Sequence, residues 1–420
     1  MIPMQQSFDE IRELLSKVDF LTGDAETVAM IDEAVPDAPF DEKRIDFLDA
    51  VSKYIMKDTR SRAFPDVVTF AFWIRKANMN IAKKKHEATV AASDNVISRG
   101  RGIAFHIAPS NVAVNFAYSL VTGFITGNHN IVRVPSKAFE QVEIIASAFR
   151  KAVEEYEEYK PAVILVRYGR DKEINDYFSA ICDTRIIWGG DNTIAQLRES
   201  PVQSRTNEIT FADRYSFAII DAQYYLDNCK SSDTYAARTA KDFYNDTYLT
   251  DQQACTAPRL ICWMGEDSVV EQASDIFWKE LSETVEKTYE FQEIQGVDKL
   301  TNLLLAATEI EELSFSRHED GRMYRAGLEK LNKRIMDYRG NSGFFYEYDL
   351  KDESELNVMS DKRIQTVSYI GEKEKIKAVV DKIKTKGIDR IVPTGHSMDF
   401  DFVWDGYDLI TELTRKISVL

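Results

Sequence analysis

Hydrophobic and polar positions follow two different patterns along this chain. Up to about residue 95, apolar residues recur every three or four positions, as at Ile11, Leu14 and Val18, and this spacing predicts a mostly helical segment. From Gly102 onwards, short β-branched runs alternate with helical patterns. Strands that alternate with helices predict parallel sheets joined by crossover helices, so the expected fold class is α/β.

Two α/β regions are expected. The first has predicted strands over 103–107, 130–134, 162–166 and 184–188, with helices over 114–125 and 139–153. The second, which begins near Asp221, follows a strand over 216–220 and has strands over 259–264, 343–348 and 363–370, with helices over 235–244, 268–285 and 297–307. A helix over 409–413 and a strand over 417–420 end the chain. This last strand has no evident partner nearby in the sequence, so we expect it to pair with a distant segment or with another subunit.

Composition and charge narrow the function classes. The chain has 420 residues, of which 44% are hydrophobic, and this composition is typical of a globular protein of two or three domains. Its 53 Lys and Arg residues against 69 Asp and Glu residues give a net charge of −16, which opposes binding to nucleic acid or anionic membrane. The apolar run over 112–125 is broken by Asn115 and is too short to span a membrane. The N-terminus does not resemble a signal peptide, so we expect a cytoplasmic protein.

Cysteine offers the first candidate for chemistry. The four cysteines form no CxxC pair and the histidines no HExxH spacing, so we expect neither a metal site nor a disulfide framework. Cys255 lies in a polar turn just before a predicted strand, where backbone N–H groups can lower the pKa of a thiol and bind an oxyanion. The alternative is a small buried core residue. Cys262 lies inside an apolar strand, and Cys182 and Cys229 are interpreted as structural.

Polar residues at strand ends offer a second group of candidates. The strand over 103–107 stops at Pro109, and Ser110 and Asn111 follow it. Asn111 is either an amide donor to an oxyanion or the N-cap of the next helix. His106, within the strand, is most simply a hydrogen-bonded core residue.

Two further strands end in glycine or polar residues ahead of a helix. One is followed by Pro135, Ser136 and Lys137, and the other by Gly189, Gly190 and Asp191. Backbone N–H groups at a helix start favour phosphate, whereas the simpler interpretation is an ordinary turn with Asp191 as a cap.

Together and in order, these pieces resemble the aldehyde dehydrogenase superfamily, and most closely its acyl-CoA reductase branch, the fatty-acyl reductases of bacterial bioluminescence. The resemblance runs from about Gly102 to the C-terminus. The matching pieces are Pro109-x-Asn111, Gly127-Asn128, Arg133, Pro135-Ser136, Gly189-Gly190, Gln253-x-Cys255, the stretch over 362–371 and the stretch over 390–395.

The resemblance implies three parts of the chain. Residues 1–222 would be a helical lead-in plus a dinucleotide-binding domain, 223–395 a catalytic domain with the nucleophilic cysteine, and 396–420 a return helix and an oligomerisation strand. It also implies Cys255 as nucleophile, Asn111 with the Cys255 N–H as oxyanion donors, and a nicotinamide cofactor. The cofactor-binding residues so implied are Pro109, Ser110, Arg133, Pro135, Ser136, Lys137, Gly189, Gly190 and Asp191.

Two departures from the family pattern refine this expectation. Aldehyde-oxidising members carry a Glu-Leu-Gly-Gly motif that supplies the base for hydrolysis, whereas here the region contains Glu208, out of clean register. Slow hydrolysis would leave an acyl-enzyme free to accept hydride, which favours acyl reduction. Glu208 and His106 are the two candidates for proton transfer to the leaving thiol. Lys137 stands where NAD-preferring relatives often have glutamate, and a cation there favours NADPH.

The expected function is NADPH-dependent reduction of a fatty-acyl thioester, from coenzyme A or a protein, to an aldehyde through a Cys255 acyl-enzyme. The alternatives are a non-acylating aldehyde dehydrogenase and a catalytically idle scaffold for an acyl-protein synthetase. A homo-oligomer is expected.

Overall fold

The computed structural model describes residues 7–33, 35–90, 95–110, 112–319 and 321–419. The chain divides into two compact units, the first comprising Met1–Ala212 and Tyr407–Leu420 and the second comprising Asp213–Gly406. The sequence predicts the boundary between the dinucleotide-binding and catalytic domains at 222/223. The strand at this point, Tyr215–Asp221, hydrogen-bonds to strands of the second unit, so the units change before it.

Helices occupy both units. They are α1 (Phe8–Leu15), α2 (Ala25–Ala29), α3 (Glu42–Lys57), α4 (Pro65–Trp73), α5 (Lys76–Val90), α6 (Asn115–Ile125), α7 (Glu140–Glu155), α8 (Lys172–Ile181), α9 (Asp191–Leu197), α10 (Ala222–Ser231), α11 (Tyr235–Asp246), α12 (Asp267–Thr288), α13 (Glu293–Glu309), α14 (Lys373–Lys382) and α15 (Leu409–Glu412). Short 3-10 segments lie at Ile31–Glu33, Thr59–Ala63, Glu157–Ala162, Tyr248–Thr250, Lys333–Met336 and Glu353–Met359.

The strands form two large sheets and smaller pairs. They are β1 (Asp19–Thr22), β2 (Val96–Gly100), β3 (Ile103–Ile107), β4 (His129–Arg133), β5 (Val163–Arg167), β6 (Thr184–Trp188), β7 (Asn207–Phe211), β8 (Tyr215–Asp221), β9 (Pro258–Met264), β10 (Leu313–Glu319), β11 (Met323–Leu328), β12 (Phe344–Leu350), β13 (Ile364–Ile370), β14 (Arg390–Pro393), β15 (Val403–Trp404), β16 (Tyr407–Asp408) and β17 (Thr414–Ser418).

The sheet of the first unit has the order β1-β5-β4-β3-β6-β7. Adjacent strands of this sheet run parallel, except that β1 runs antiparallel to β5. The chain moves outward from β3 through β4 to β5 and then returns to place β6 on the other side of β3. The direction of winding therefore reverses between β3 and β6, and such a reversal opens a crevice at the carboxyl ends of the two strands.

The sheet of the second unit has the order β10-β11-β12-β9-β8-β13-β14 and is parallel except for the β10–β11 pair. Successive residues of β8 point to opposite faces: Phe217 and Ile219 belong to one apolar cluster, whereas Ala218 and Ile220 belong to another. Both faces are thus covered, as in parallel sheets generally. The predicted α/β class is confirmed.

Two expectations about the chain ends need correction or completion. The helical lead-in also contains β1, which pairs with β5 as an edge strand, so this segment is part of the first sheet. The final strand begins earlier than predicted, and β17 pairs antiparallel with β2, a distant segment of the same chain. Leu420, the last residue of the predicted strand, lies outside the described residues. Oligomerisation through this strand stays a prediction.

A buried asparagine joins the C-terminal segment to the rest of the first unit. The Asn128 side chain accepts hydrogen bonds from the N–H groups of Arg101 (2.7 Å) and Gly102 (3.1 Å) and donates to the carbonyl of Leu413 (2.9 Å). It is fully buried, so no water replaces these partners.

We expect Asn128→Ala to lower the free energy of unfolding of the first unit by about 2–4 kcal/mol, because buried N–H and C=O groups lose their partners. Urea denaturation followed by far-ultraviolet circular dichroism measures this. Asn78→Ala, an exposed asparagine of α5, is the matched control and should change stability by less than about 0.5 kcal/mol. Equal effects of the two variants would contradict the role given to Asn128.

Candidate functional site

Cys255 lies in a turn of the second unit, residues 251–257, called here the cysteine turn, which leads into β9. The turn begins with two consecutive left-handed residues, Asp251 (φ 50°) and Gln252 (φ 56°). The buried Gln252 amide donates to the carbonyls of Pro258 and Phe344 and accepts from the N–H groups of Gly343 and Phe344, all at 3.0 Å. Every hydrogen-bonding site of this amide is used, and the turn is fixed to β9 and β12.

Two further side chains hold the backbone around Cys255. The Ser216 hydroxyl donates to the carbonyl of Cys255 at 2.7 Å. The buried Arg259 guanidinium donates to the carbonyls of Gln252, Ala254 (3.4 Å) and Ala257 (3.2 Å). Three carbonyls of one short turn therefore share one cation, which fixes the direction of the Cys255 side chain.

The Cys255 thiol is half-buried. Burial and, to a lesser degree, the negative charge of Asp405 raise its pKa to about 11, against a hydrogen bond from Gln365 and the positive charges of Arg259 and Arg214. Burial disfavours the charged thiolate, so the thiol is protonated near neutral pH.

Gln365 and Asp405 form one polar cluster beside the thiol. Gln365 Nε2 donates to Asp405 Oδ1 at 2.9 Å, and Arg214 Nη1 lies 2.9 Å from the same oxygen. Arg214 also pairs with Asp389. Asp405 is buried and left-handed (φ 53°), and burial raises the pKa of its carboxyl. The protonation of Cys255 is therefore linked to the Arg214–Asp405 ion pair, whose two residues are distant from Cys255 in sequence.

The other cysteines differ from Cys255 in exposure. Cys182 and Cys262 are fully buried, and burial raises the pKa of Cys182 to about 12 and that of Cys262 further. Cys229, on α10, is half-buried, but its sulfur lies beside Tyr225 on the surface of a helix. Cys255 alone among these four combines partial exposure with a turn fixed by buried side chains.

The predicted cofactor residues of the first unit lie at the carboxyl edge of its sheet. Ile107 at the end of β3 is opposite both Arg133 of β4 and Ile187 of β6. The segments that follow these three strands therefore lie at one edge, beside the reversal of winding. They contain Pro109, Ser110, Pro135, Ser136, Lys137, Gly189, Gly190 and Asp191. Asn111 lies outside the described residues.

The two cations at this edge differ in their contacts. Arg133 Nη2 donates to the carbonyl of Gly169 at 2.9 Å, and its guanidinium lies 4.6 Å from the centre of the Tyr168 ring. It thus holds the segment that follows β5. Lys137 is exposed, and its Nζ lies 5.0 Å from the Phe139 ring.

Glu208 lies on the edge strand β7 and binds two arginines. Its carboxylate accepts hydrogen bonds from Arg185 Nε (3.0 Å) and Arg198 Nε (2.7 Å). Burial alone raises the pKa of Glu208, but the hydrogen bonds from Arg198 and Arg185 outweigh it and hold the pKa below its usual value. A carboxylate held in this way is a weak proton acceptor, so the geometry favours a structural role.

His106 is a core residue. Its ring contacts Ser119 Oγ (2.7 Å) and Asn130 Oδ1 (3.1 Å), and burial lowers its pKa to about 4. The structure therefore fits the interpretation of His106 as a hydrogen-bonded core residue.

Sequence reasoning missed the residues that position the thiol. Gln252 and Arg259 lie beside Cys255 in the sequence but carry no motif of their own. Ser216 and Gln365 reach it only through the pairing of β8, β9 and β13. Asp405 reaches it from the turn between β15 and β16, where it accepts a hydrogen bond from Gln365. No local pattern identifies these three residues. Among the described residues, no helix is long and apolar enough to cross a membrane.

Comparisons with known proteins give a family and a fold. A family model described as Acyl-CoA reductase (LuxC) matches residues 87–301. No curated protein matches the chain. The structure is similar to a variant of 1-pyrroline-5-carboxylate dehydrogenase from Thermus thermophilus, with a TM-score of 0.63 and 15% identity over 95% of this chain and 86% of that one.

Two further solved structures show the same fold. Aldehyde dehydrogenase 21 from Physcomitrella patens, in complex with the reaction product succinate, has a TM-score of 0.63 and 10% identity over 98% of this chain and 90% of that one. A 1-pyrroline-5-carboxylate dehydrogenase from Thermus with bound NAD has a TM-score of 0.60 and 13% identity over 94% of this chain and 83% of that one. The expected aldehyde-dehydrogenase-like fold is confirmed.

We expect Asp405→Asn to make Cys255 react faster with iodoacetamide between about pH 8 and 9. Removing the negative charge lowers the pKa of the thiol, and a shift of one unit gives about tenfold more thiolate in this range. Asparagine also tolerates the left-handed backbone at this position. The rate is measured by mass spectrometry of the Cys255 peptide as a function of pH.

Asp389→Asn is the matched control, because Asp389 pairs with the same Arg214 but is not a leading cause of the raised thiol pKa. Its pH profile should follow that of the native protein. An unchanged profile for Asp405→Asn would contradict the electrostatic link.

Proposed function

Since the chain belongs to the LuxC family of acyl-CoA reductases, we propose that it reduces an acyl thioester to an aldehyde with NADPH, through an acyl group carried on Cys255. Family and fold make it an aldehyde-related oxidoreductase. The observation that carries the finer proposal is the cysteine turn, which presents one half-buried thiol on a rigid backbone.

Acyl transfer to Cys255 requires a proton to move. Because burial raises the pKa of the thiol, the proton leaves Cys255 as Sγ attacks the carbonyl carbon. The new bond joins Sγ to the acyl group, the bond to the departing thiol breaks, and that thiol takes up a proton. Gln365, Arg259 and Arg214 favour the thiolate during this exchange.

The oxyanion formed during this attack needs hydrogen-bond donors. Among the described residues, none accepts a hydrogen bond from the backbone N–H of Cys255, so this group is free to bind the developing charge. Asn111 is proposed as the second donor on the resemblance alone. Glu208 receives no proton-transfer role, because its two arginines hold it as a carboxylate.

The carboxyl edge of the first sheet fits a dinucleotide. It lies at a reversal of winding, where open α/β sheets bind ligands. A Cβ on Gly189 would lie 3.2 Å from the Thr193 side chain, so glycine allows this turn to pack closely on the helix that follows it. The Thermus relative has NAD bound, and the exposed Lys137 favours a 2′-phosphate. When bound, NADPH would supply the hydride that reduces the acyl group.

The remaining residues of this edge would line the cofactor. Ser136 is exposed beside Lys137 and is proposed to contact the ribose. Arg133 would act by holding the segment after β5, through the carbonyl of Gly169. The acyl donor is proposed to be a coenzyme A thioester or a protein-bound thioester, and an acyl-protein synthetase is the proposed protein partner.

We expect Cys255→Ala to abolish NADPH oxidation with acyl-CoA thioesters, by on the order of a thousandfold or more, because the nucleophile is lost. NADPH absorbance over a series of acyl chain lengths measures the rate, and NADPH fluorescence shows that cofactor binding persists. Cys229→Ala, which removes the other half-buried thiol, is the control and should keep full activity.

Three other outcomes have distinct meanings. Retained reduction in Cys255→Ala would overturn the proposal. Aldehyde oxidation without added thiol would instead support a non-acylating dehydrogenase. A native protein that binds neither NADPH nor acyl-CoA would support a scaffold.

We expect Lys137→Ala to weaken NADPH binding about tenfold while NADH binding changes little, because only NADPH carries the 2′-phosphate; tenfold corresponds to about 1.4 kcal/mol. Fluorescence titration with both cofactors measures this. Lys85→Ala, an exposed lysine of α5, is the control. Equal loss for both cofactors would show that Lys137 does not discriminate between them.

A further inference from the structure

A polar cleft lies between α12 and β11 in the second unit. Its volume is about 260 Å³, slightly below the roughly 300 Å³ at which pockets for drug-sized ligands begin, so it suits a small molecule. Most of its lining comes from α12, and β11 contributes one arginine. The residues that define this cleft, called here the α12 cleft, include Asp275, Trp278, Lys279, Glu283, Glu286 and Arg325.

A buried acceptor holds Arg325 at the inner side of the cleft. The Arg325 side chain is only 6% exposed, its Nε donates to Glu347 Oε1 at 2.7 Å, and its guanidinium lies 4.6 Å from the centre of the Trp278 ring. The other Glu347 oxygen accepts hydrogen bonds from the indole N–H groups of Trp263 (3.2 Å) and Trp278 (2.6 Å). The carboxylate is therefore fixed through both oxygens, and it fixes the orientation of the guanidinium in turn.

Most hydrogen-bond donors of this guanidinium have no protein partner. An arginine carries five N–H donors, and Nε uses one of them. Within the described part of the chain, Nη1 and Nη2 of Arg325 donate to no group, although the side chain is buried. Buried polar groups are as a rule hydrogen-bonded, and a fork of N–H groups matches the two oxygens of a carboxylate. These donors are therefore suited to an anionic group inside the cleft.

The charges of α12 oppose a ligand that is only anionic. Asp275 and Glu286 are exposed and Glu283 is half-buried, so three carboxylates border the cleft. The helix adds one lining cation, Lys279, which is exposed. Outside the lining, Lys287 lies 3.3 Å from Glu283. A phosphate group bound to the arginine would therefore face a border that is mainly negative.

On the side of the sheet the charge is positive. Arg317 of β10 is opposite Arg325 in the strand pairing, so two cationic residues occupy neighbouring positions of the sheet. Glu347 offsets one of these charges. The cleft therefore has cations at its inner side and carboxylates along the helix, and a ligand that carries both charges complements both sides.

We infer that the α12 cleft binds a small zwitterion, whose carboxylate accepts hydrogen bonds from Arg325 and whose ammonium group pairs with Glu283 and Glu286. These two glutamates are three residues apart and are therefore neighbours on one face of the helix. The guanidinium is already fixed, which lowers the cost of ordering it when a ligand binds. The cleft shares no residue with the cysteine turn, so the inference does not rest on the proposed reaction.

Saturation-transfer NMR titrations of the full chain with glycine, β-alanine and γ-aminobutyrate test the inference. The distance between the two charges differs among these zwitterions, so we expect one to bind best, with a dissociation constant on the order of 1 mM. The acids that lack the amino group, acetate, propanoate and butanoate, should bind at least about tenfold more weakly. Binding of none of the three zwitterions, or equal binding of the matching acid, would overturn the inference.

Arg325→Lys tests the contact with the carboxylate. Lysine keeps a positive charge beside Glu347 but lacks the guanidinium fork, so we expect the preferred zwitterion to bind at least about tenfold more weakly. The melting temperature shows whether the variant keeps its fold. A folded Arg325→Lys protein with native affinity would contradict the assignment of the carboxylate to Arg325.

A double variant, Glu283→Gln with Glu286→Gln, tests the contact with the ammonium group and decides the matter if Arg325→Lys fails to fold. We expect about tenfold weaker binding of the zwitterion, whereas binding of the matching acid should not weaken. Glu271→Gln with Glu374→Gln is the matched control, because both residues are exposed, neither lines the cleft and the net charge changes equally. Native affinity in the first double variant, or an equal loss in both, would overturn the inference.

Discussion

The chemistry assigned to this protein depends on one buried amide. Gln252 begins the turn that carries Cys255, and its backbone, like that of Asp251, is left-handed (φ 56° and 50°). Non-glycine residues in this region cost roughly 1–3 kcal/mol each unless their surroundings hold them. The Gln252 side chain supplies that support, because its four hydrogen bonds reach β9 and β12. The direction of the thiol follows from this attachment.

The charges around the cysteine turn have two opposite effects on Cys255: some favour the protonated thiol and others favour the thiolate. Burial lowers the pKa of Arg259 to about 10, yet the guanidinium remains cationic near neutral pH and binds the carbonyls of the turn. Burial and Asp405 keep the Cys255 thiol protonated, whereas Arg259, Arg214 and Gln365 favour the thiolate. A protonated thiol resists oxidation and alkylation at rest. In the proposed reaction, the nearby cations would lower the cost of charge on the incoming acyl group. The Cys255 N–H, which has no acceptor within the described part of the chain, would do the same.

The sequence predicted most interior strands of both sheets, but it missed the buried interior strand β11 and the edge strands. Strands such as β3 and β6 are buried along their length and therefore form apolar runs that predict them. The edge strands β7 and β14 are partly exposed and carry polar residues, so the pattern did not reveal them. Its polar turn before a strand made Cys255 a candidate, and the resemblance to the aldehyde dehydrogenase superfamily made it the predicted nucleophile. Gln365 and Asp405 were not predicted, because strand pairing brings Gln365 to the thiol and a hydrogen bond from Gln365 holds Asp405, which lies in a turn distant in sequence.

The central claim is that Cys255 carries the acyl group. Mixing the protein with an acyl-CoA in the absence of NADPH, followed by mass spectrometry of the intact chain and its peptides, tests it directly. We expect a mass increase of one acyl group, located on the peptide that contains Cys255 and removed by hydroxylamine, which cleaves thioesters. An unchanged mass, or an acyl group on a different residue, would contradict it.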